Sequence, residues 1–383
     1  MRIAYVLPYL KKPSGWRSHA CAFISAIRQE IQPILIVAAS DYKIAQTLFS
    51  GDTILPVPAT QEAALNSLPG MLRFSASFAA IRRGYFPKVD LVHSLEAYPT
   101  GLVGYWLAQR LGCPHIMTVN GTYGVVWYKS LLDRPVYAQV LRNTAMICPA
   151  SHGTARIMLH YFNDPLAHTQ IHPIAHGNNF YKTIPPKIAL ERVLPPTPTL
   201  LSVGQIKSRK GYLISLAAFA KVRDQLPTAR YRIVGDTSDQ GYYRKLQKFI
   251  SEQHLEGVEF TGMVSQDDMR RMYQEASVFV LTPMMDNLHF EGFGLVYLEA
   301  GAYGLPVVAT DSGGVSDAVK DGETGFLASE GDVDGVAQAI LRLLNNPELA
   351  QRMGRAGRAW SEMLAWERSV QEHLQVYEEM VRT

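Results

Sequence analysis

Short apolar runs alternate with helical patterns along almost the whole chain, and this alternation limits the folds that the sequence can adopt. In the first half, apolar runs typical of buried strands lie at residues 3–7, 33–38, 91–93, 115–119 and 146–149. Helical patterns accompany them at residues 19–30, 68–85, 102–111 and 154–161. Because strands that are apolar on both faces need helices on both sides, the pattern predicts a parallel α/β sheet.

The same alternation starts again after a proline-rich segment. Residues 184–198 contain Pro-Pro at 185–186 and at 195–196, and we interpret them as a linker between two domains. Strand patterns then lie at 199–203, 230–234, 258–260, 278–281, 307–310 and 325–327. The sequence therefore predicts doubly wound domains at 1–183 and 199–362, followed by a helical tail at about 363–383. Such domains bind ligands at the carboxyl ends of their strands, which places the predicted site in a cleft between them.

The composition is that of a water-soluble globular protein, with 47% hydrophobic and 19% charged residues. No apolar run approaches the ~20 residues that a membrane-spanning helix needs. The N-terminus enters a strand pattern directly, without the features of a signal peptide. Cys21, Cys113 and Cys148 are far apart and form no C-x-x-C, which favours unpaired thiols in a reducing compartment. We therefore expect a cytoplasmic protein.

Charge is distributed unevenly between the two halves of the chain. Residues 1–190 contain 17 Lys and Arg against 8 Asp and Glu, a charge of +9. Residues 191–383 contain 20 against 26, a charge of −6. This asymmetry suggests that the halves bind different ligands, and ordinary scatter of surface charge is the alternative interpretation.

A glycine-rich turn at residues 291–294 precedes a helical pattern that begins at Leu295 and stops at Gly304, before Pro306. The first amides of a helix have no partner within the helix, and the helix dipole is positive there, so a phosphate can bind to them. The predicted phosphate-binding backbone therefore comprises Gly292, Phe293, Gly294 and Leu295.

Two glutamates accompany this turn. Glu291 precedes it, and Glu299 lies about two turns into the helical pattern. Carboxylates are poor phosphate ligands but good acceptors for sugar hydroxyls, so the pair suggests a sugar nucleotide. Alternatively, both are solvated residues near a helix start, where acidic residues are common.

A cationic loop follows the first predicted strand of the second domain. It runs from Gly204 to Lys210 and includes Gln205 and Arg209. Lysine is a strong point-charge donor to phosphate oxygens, so the loop suits a diphosphate. The G-x-x-x-x-G-K-[S/T] order of a P-loop is absent, and an ordinary basic surface loop is the alternative.

The stretch E-G-F-G-L-V-Y-L-E-A at 291–300 resembles the E-x(7)-E signature of the family-4 retaining glycosyltransferases, which have the GT-B fold. The resemblance is specific from about residue 200 to 344 and looser elsewhere. It implies two Rossmann-like domains with a cleft between them, and a final helix that packs back on the first domain. It also implies a retaining hexosyltransferase-type enzyme that uses a UDP- or GDP-sugar in polysaccharide or glycolipid biosynthesis. The nucleotide sugar would be a substrate, and no cofactor is expected.

The cationic loop resembles the family's G-R-x-x-x-x-K-G segment, in which Arg and Lys bind the donor diphosphate. Lys210 matches the lysine. Gln205 occupies the arginine position and cannot form a charged bidentate contact, so Lys207 or Arg209 would compensate.

The remaining donor contacts that the family resemblance implies rest on weaker sequence matches. The resemblance implies that Val264 lines the base pocket, that Glu291 holds sugar hydroxyls and that Glu299 holds the ribose. Gly15 belongs to the loop 13–16, where the family has Gly-Gly near the donor phosphates; it is equally an ordinary turn residue.

Asn120 lies in T-V-N-G at 118–121, which resembles the family's T-x-H-G, where the histidine contacts the transferred sugar or the acceptor. Asparagine cannot titrate near neutral pH. Either its role is orientation alone, or the role moves to His93, His19 or Tyr123. His176, in a segment resembling the family's N-G-V-D turn, is interpreted as a turn residue.

No metal site is expected. Asp332 and Asp334 form a D-x-D, an order that chelates metal in other nucleotide-sugar enzymes, but they precede a helical run and predict a helix N-cap. No Cys/His metal spacing occurs, so we expect metal-independent chemistry.

Alternatives stay open for the function of the protein and for the way in which it reaches its acceptor. A sugar-nucleotide epimerase, a phosphorylase or a non-catalytic sugar-nucleotide-binding module would fit the same fold, and no nucleic-acid partner is expected.

The basic helical pattern at 68–85 suggests peripheral contact with an anionic membrane that presents a lipid-linked acceptor, through Arg73, Arg82, Arg83 and Lys88 with the nearby aromatic residues. Alternatively, Phe74, Phe78 and Ile81 face the domain core and the arginines are merely solvated.

Overall fold

The computed structural model describes residues 1–11 and 15–382, which form two compact units. The first unit comprises Met1–Gly177 and the tail from Trp366 onward, and the second comprises Asn178–Ala365. The chain thus passes into the second unit six residues before the predicted domain end at 183. The segment interpreted as a linker, 184–198, lies within the second unit.

The first unit contains a seven-stranded parallel sheet. Its strands are β1 (Ile3–Val6), β2 (Pro33–Ala38), β3 (Thr53–Val57), β4 (Leu91–Ser94), β5 (His115–Val119), β6 (Met146–Pro149) and β7 (Gln170–Ile171). They lie in the order β3-β2-β1-β4-β5-β6-β7. Its helices are α1 (Gly15–Ile27), α2 (Tyr42–Leu48), α3 (Leu68–Arg83), α4 (Thr100–Leu111), α5 (Asp133–Arg142) and α6 (His152–Leu166).

The five strands predicted for this unit are confirmed, whereas β3 and β7 were not predicted. β3 is an edge strand that contains Pro56, and a proline within an apolar run argues against a strand assignment from sequence. β7 is the other edge strand and has two residues, too few for any pattern.

The second unit contains a six-stranded parallel sheet. Its strands are β8 (Thr199–Val203), β9 (Arg230–Val234), β10 (Val258–Gly262), β11 (Val278–Leu281), β12 (Val307–Thr310) and β13 (Gly325–Ala328), in the order β10-β9-β8-β11-β12-β13. Its helices are α7 (Phe180–Thr183), α8 (Pro186–Leu190), α9 (Tyr212–Gln225), α10 (Gln240–Glu252), α11 (Gln266–Glu275), α12 (Leu295–Ala302), α13 (Val315–Ala318), α14 (Val333–Leu344) and α15 (Pro347–Met363). Both units are doubly wound Rossmann-like sheets, as predicted.

Each sheet reverses its strand order at one point. In the first unit the reversal lies between β1 and β4, and in the second it lies between β8 and β11. Ligands of open α/β sheets bind beside the carboxyl ends of the strands at such a point. The loops that follow β8 and β11 carry Lys210 and Glu291, so the fold places both predicted residues there.

The last helix, α16 (Trp366–Arg382), completes the core of the first unit. Its buried side chains Trp366, Val370 and Tyr377 belong to the same apolar cluster as Tyr5 of β1 and Phe23 of α1. Where the chain leaves and re-enters this unit, the backbone is tightly packed. A Cβ atom added to Gly177 would lie 2.5 Å from the Cα atom of Trp366, so only glycine fits at this crossing.

Two further observations concern the cysteines and the possibility of a membrane-spanning helix. Cys21, Cys113 and Cys148 are all unpaired. Within residues 1–11 and 15–382, no helix is both long enough and apolar enough to cross a membrane.

Candidate functional site

Three charged side chains meet beside the carboxyl end of β8, and we call them the Glu291 cluster: Arg209, Lys210 and Glu291. Lys210 Nζ donates to Glu291 Oε2, and Arg209 Nη1 donates to the same oxygen at 3.2 Å. The side chains of Lys210 and Glu291 are 10% and 14% exposed, so this contact is largely removed from solvent. The structure thus brings together two residues that the sequence places in separate loops.

The electrostatic balance of this cluster is positive. Burial lowers the pKa of the Lys210 amine, repulsion from Arg209 and Lys207 adds to that effect, and attraction to Glu291 opposes it. Burial alone would raise the pKa of the Glu291 carboxyl, but attraction to Lys210 and Arg209 outweighs it and holds this pKa below its ordinary value. Glu291 is therefore ionised at neutral pH, and its single charge faces more than one cation. Such a site favours an incoming anion.

A left-handed glycine fixes the position of Lys210. Arg209 and Lys210 lie in a 3-10 turn, Ser208–Lys210, that ends at Gly211 with φ of +67°. A Cβ atom on Gly211 would lie 1.7 Å from the carbonyl oxygen of Thr282, so a side chain is excluded there. Thr282 Oγ1 donates to the Gly211 carbonyl at 2.8 Å, and Met284 N donates to the Arg209 carbonyl at 2.9 Å. The loop after β8 is thereby fastened to the loop after β11.

The predicted turn before α12 has the expected backbone. Gly294 is the N-cap of α12 and is left-handed, with φ of +95°, so the turn needs a glycine at this position. Gly292 and Phe293 are buried beside it, and Leu295 begins the helix. The loop after β12 supports Glu291 from the other side, because Gly314 N donates to the Glu291 carbonyl at 2.8 Å.

Glu299 lies in the fifth position of α12 and is half-buried. Burial raises the pKa of its carboxyl to about 7, and the neighbouring hydroxyl of the buried Tyr273 partly opposes this shift. The Tyr273 ring stacks on Tyr303 with centroids 4.7 Å apart, which holds the hydroxyl beside Glu299. This carboxyl therefore changes charge near neutral pH.

The other predicted residues of the second unit lie along the same edge of the sheet. Gln205 is exposed, directly after Gly204 at the end of β8. Gly235 N donates to the Gly262 carbonyl at 3.1 Å, and a Cβ atom on Gly235 would lie 1.9 Å from the Gly204 carbonyl oxygen. This close packing of three strand ends places half-buried Val264, just after Gly262, on the same edge as the cationic loop.

Asn120 lies at the carboxyl end of β5 in the first unit, above a buried carboxyl. Its Nδ2 donates to the Leu95 carbonyl at 2.9 Å and to Glu96 Oε2 at 3.0 Å. Glu96 is 1% exposed and also accepts from the Ala97 amide at 2.8 Å. Burial raises the pKa of the Glu96 carboxyl to about 7, while these hydrogen bonds partly oppose the shift. The amide group of Asn120 is thus held in one orientation.

Of the three alternatives to Asn120, the two histidines are buried and Tyr123 is accessible. His93 is fully buried, and its ring nitrogens bond to Tyr377 Oη at 2.7 Å and to Thr118 Oγ1 at 2.8 Å, so it is part of the core. His19 is also buried, and its ring packs on His176 with centroids 4.0 Å apart. Burial lowers the pKa of both His19 and His93, with neighbouring histidines adding to the effect. Tyr123 is half-buried and remains accessible.

The N-terminal loop is described only in part. Gly15 is exposed at the first position of α1, and a Cβ atom there would meet nothing within 4 Å. The preceding residues of the predicted loop, Pro13 and Ser14, lie outside the described residues.

The N-cap prediction for Asp332 is confirmed, because its side chain accepts from Gly335 N at 2.8 Å at the start of α14. Across the described part of the chain, no group of three His, Cys, Asp or Glu side chains is arranged to hold a metal ion.

Three supporting residues escaped the sequence analysis. Glu96 follows the end of β4 by two residues, a charged residue at a strand end that could have been noticed. Tyr212 Oη donates to the Gly204 carbonyl at 2.8 Å, although its position in an apolar helical pattern indicated only a core residue. Gly313, with φ of +60°, would place a Cβ atom 2.3 Å from the Glu291 carbonyl oxygen, and nothing in its sequence context signals that contact.

Comparison with known protein families gives two matches that together span most of the chain. The family described as "Glycosyl transferase 4-like domain" matches residues 17–174. The family described as "Glycosyl transferases group 1" matches residues 191–360.

Individual proteins agree with these matches. The D-inositol 3-phosphate glycosyltransferase of Streptomyces scabiei is 30% identical over 320 residues, which is 79% of this chain and 70% of that protein. A GDP-mannose-dependent α-(1-6)-phosphatidylinositol monomannoside mannosyltransferase of Mycolicibacterium smegmatis is 29% identical, over 71% of this chain and 72% of that protein. Among solved structures, Anabaena HepE in complex with UDP superposes with a TM-score of 0.76 at 18% identity, covering 99% of this chain and 100% of that one.

Proposed function

This chain belongs to the family-4 type of GT-B glycosyltransferases, and from that premise we propose that it transfers a sugar from a nucleotide-diphospho-sugar to a carbohydrate or lipid-linked acceptor, with retention at the anomeric carbon. The observation that carries the donor assignment is the Glu291 cluster. It is positive, largely buried and located at the strand-order reversal of the second sheet.

In this proposal the donor diphosphate binds beside Lys210 and Arg209. The first amides of α12, from Leu295 onward, add partial positive charge at the same edge of the sheet. Negative charge develops on the diphosphate as the bond to the sugar breaks, so donors fixed in advance stabilise the transition state more than the ground state. This arrangement supplies the charge stabilisation without a metal ion.

The carboxylates then bind hydroxyl groups. Both contacts of the Glu291 cluster use Oε2, which leaves Oε1 to accept from a sugar hydroxyl. Glu299 accepts from the ribose, and the turn that contains Val264 borders the base. The donor is a UDP- or GDP-sugar: HepE has been crystallised with UDP, whereas the mycobacterial relative is named for its dependence on GDP-mannose.

The chemical step needs no covalent intermediate on the protein. The departing diphosphate takes the electron pair of the bond to the anomeric carbon, and the acceptor oxygen forms the new bond and passes its proton to an oxygen of that diphosphate. We assign no carboxylate as nucleophile, because Glu291 is held by Lys210 and Arg209. Retention is the stereochemistry that the family resemblance implies.

We place the reaction in the cytoplasm, with peripheral contact to an anionic membrane as one way of reaching the acceptor. On α3, Phe74 and Phe78 pack on Trp106, and Ile81 is buried, so these apolar side chains serve the fold. The exposed residues of α3 and of the segment after it include the apolar or aromatic Leu68, Met71, Leu72, Phe78 and Tyr85 and the basic Arg73, Arg82, Arg83 and Lys88. Contact with a membrane would therefore depend on this mixed basic and apolar surface.

Product analysis tests the proposal. The purified protein is incubated with labelled UDP- and GDP-sugars, with and without EDTA, and with candidate acceptors. A new glycoside with free nucleoside diphosphate supports a transferase. A converted nucleotide sugar would point to an epimerase, saturable binding without turnover to a binding module, and loss of activity in EDTA to a metal requirement.

A further inference from the structure

A pocket of about 530 Å³ lies between α3 and the edge strand β3 of the first unit. Leu55 and Pro56 of β3 form one side of it, and Ala79 and Ala80 of α3 form the other. Its volume is within the ~300–1,000 Å³ that is usual for small-molecule sites. In the sheet, β3 is separated from β5 by β2, β1 and β4, a distance of ~19 Å at ~4.8 Å per strand. The pocket is therefore separate from Asn120, which follows β5.

Small residues keep the pocket open. Ala79 and Ala80 are half-buried, and a methyl side chain at each position leaves the space towards β3 unfilled. Gly84 ends α3, and a Cβ atom there would lie 2.6 Å from the Ala80 carbonyl oxygen and 3.1 Å from the Phe86 ring. Glycine at this position therefore allows the Phe86 ring to pack directly behind the end of the helix, as the inner wall of the pocket.

This inner wall is also the outer surface of the apolar core. Leu55 and Phe86 line the pocket and pack against a buried apolar cluster built from β1, β2, β4 and α4. Among the described residues that line the pocket, only Arg83 and Tyr85 have polar side-chain atoms. A polar ligand group inside would therefore lose its hydrogen bonds to water without replacement, whereas an alkyl group would lose none.

The mouth of the pocket is basic. Arg83 and Tyr85 line it, and both side chains are exposed, that of Tyr85 by 89%. Residues 63–89, which contain α3, include four basic residues and no acidic one. An anionic group at the mouth is therefore attracted by Arg83 and by the charge around it.

Two other kinds of occupant fit this lining poorly. A peptide strand could pair with the edge strand β3, but Pro56 has no N–H to donate, and proline is one of the features that keep edge strands unpaired. The hydroxyls of a sugar ring would face apolar side chains without hydrogen-bond partners. An alkyl chain needs neither kind of contact.

We propose that this pocket binds an alkyl chain that carries an anionic head group, with the chain between β3 and α3 and the head group beside Arg83. A fatty acid, an alkyl phosphate and an anionic lipid of a bilayer share this chemistry. The site needs neither the nucleotide-sugar donor nor the transfer reaction, so it goes beyond the proposed function and does not depend on it.

Calorimetric titration of the full chain with octyl phosphate, decyl phosphate, decyl maltoside and inorganic phosphate tests the proposal, with each alkyl probe kept below its micelle-forming concentration. Decyl phosphate should bind about 10-fold more tightly than octyl phosphate, because two more methylene groups leave water. Ala79→Trp fills the pocket and should weaken decyl phosphate binding at least ~10-fold. Ala76→Trp, at an exposed position of the same helix, is the matched control and should bind as the wild type does.

The head group is tested separately from the chain. Arg83→Gln should weaken the binding of decyl phosphate by ~3-fold, the size expected for an exposed ion pair, and should leave decyl maltoside binding unchanged. Lys245→Gln, at an exposed position of α10, is the control for the change of charge.

Vesicles that contain phosphatidylglycerol identify the source of the chain. Sedimentation that is lost in Ala79→Trp and retained in Ala76→Trp supports a bilayer lipid. Sedimentation that is unchanged in Ala79→Trp, together with lost decyl phosphate binding, supports a free amphiphile such as a fatty acid.

Three results would overturn the pocket assignment: no binding of decyl phosphate, equal affinity for octyl and decyl phosphate, or decyl phosphate binding that survives Ala79→Trp. If Ala79→Trp does not fold, Tyr85→Ala changes an exposed residue at the mouth and should still weaken binding. Binding of UDP and GDP is measured in parallel, and its absence would contradict the proposed function while the alkyl probes still decide the pocket.

Discussion

Lys210 and Glu291 are 81 positions apart in the sequence, and Lys210 Nζ donates directly to Glu291 Oε2. The pair joins the loop after β8 to the loop after β11, where the strand order of the second sheet reverses. Arg209 shares the same carboxylate oxygen. The residue proposed to bind the diphosphate and the residue proposed to bind the sugar are therefore already in direct contact.

Replacing Lys210 with alanine should reduce turnover by ~100-fold or more, because it removes a preorganised donor at a developing charge. The variant also leaves Glu291 with Arg209 as its remaining cation in the cluster, so binding of an anion should weaken. Steady-state kinetics with the donor identified by product analysis provide the measurement. Lys248→Ala, at an exposed site on α10, is the control and should behave as wild type. Near-wild-type turnover by Lys210→Ala would exclude the diphosphate role.

Replacing Gln205 with arginine should maintain or raise donor affinity. Gln205 is exposed at the end of β8, so a longer side chain has room, and an arginine would add a bidentate phosphate donor. Calorimetric titration of UDP or GDP into both proteins measures the effect. A large loss of affinity would mean that this site binds its donor differently from the family pattern.

The sequence predicted the glycine turn and the start of α12 in this site better than it predicted which side chains of separate loops meet there. Gly294 and Leu295 predicted the start of α12 correctly, because a glycine turn and an apolar helical pattern are local signals. The contact between Lys210 and Glu291 has no such signal, because it depends on two loops meeting at one sheet edge. Asn346 shows a different limit: it lies two residues after the end of α14, and its side chain accepts from Leu349 N and begins α15. One polar turn can end one helix and start the next.

Donor binding should depend on pH through Glu299. Because burial raises the pKa of this carboxyl to about 7, it is mostly protonated below that pH and ionised above it. An ionised carboxylate is the stronger acceptor for ribose hydroxyls, so nucleotide affinity should rise from pH 6 to pH 8. Glu299→Gln should remove this rise, and Glu252→Gln, at an exposed position, should retain it. An unchanged pH profile in Glu299→Gln would contradict the assignment.

The same carboxyl affects stability with the opposite sign. Its pKa in the folded protein exceeds the ordinary value near 4.3, so the folded state binds more protons than the unfolded state between about pH 4.3 and 7. The contribution of Glu299 to the free energy of unfolding should thus decrease as pH rises through this window, by roughly 3 kcal/mol. Urea unfolding at several pH values should show a shallower decrease for Glu299→Gln than for the wild type.

Membrane contact is tested by reversing the charge of Arg82 and Arg83. The wild type should sediment with vesicles that contain anionic lipid and should be released near ~0.5 M salt, where exposed charges are screened. Arg82→Glu with Arg83→Glu should abolish sedimentation and leave nucleotide binding unchanged. Lys245→Glu with Lys248→Glu makes an equal change of charge on exposed positions of α10 and is the control. A wild type that stays in the supernatant with vesicles of any charge would indicate a soluble acceptor.

The tight crossing at Gly177 and Trp366 makes the second unit an insertion within the first. The first unit is discontinuous in sequence, and a fragment that ends at Gly177 lacks α16 and the core side chains that Trp366 and Tyr377 provide. Because a Cβ atom on Gly177 would lie only 2.5 Å from the Trp366 Cα atom, a short artificial loop can replace the whole of 178–365. The excised segment is continuous and keeps its own six-stranded sheet. We therefore expect each unit to fold as a separate polypeptide, so that nucleotide binding could be measured on the second unit alone.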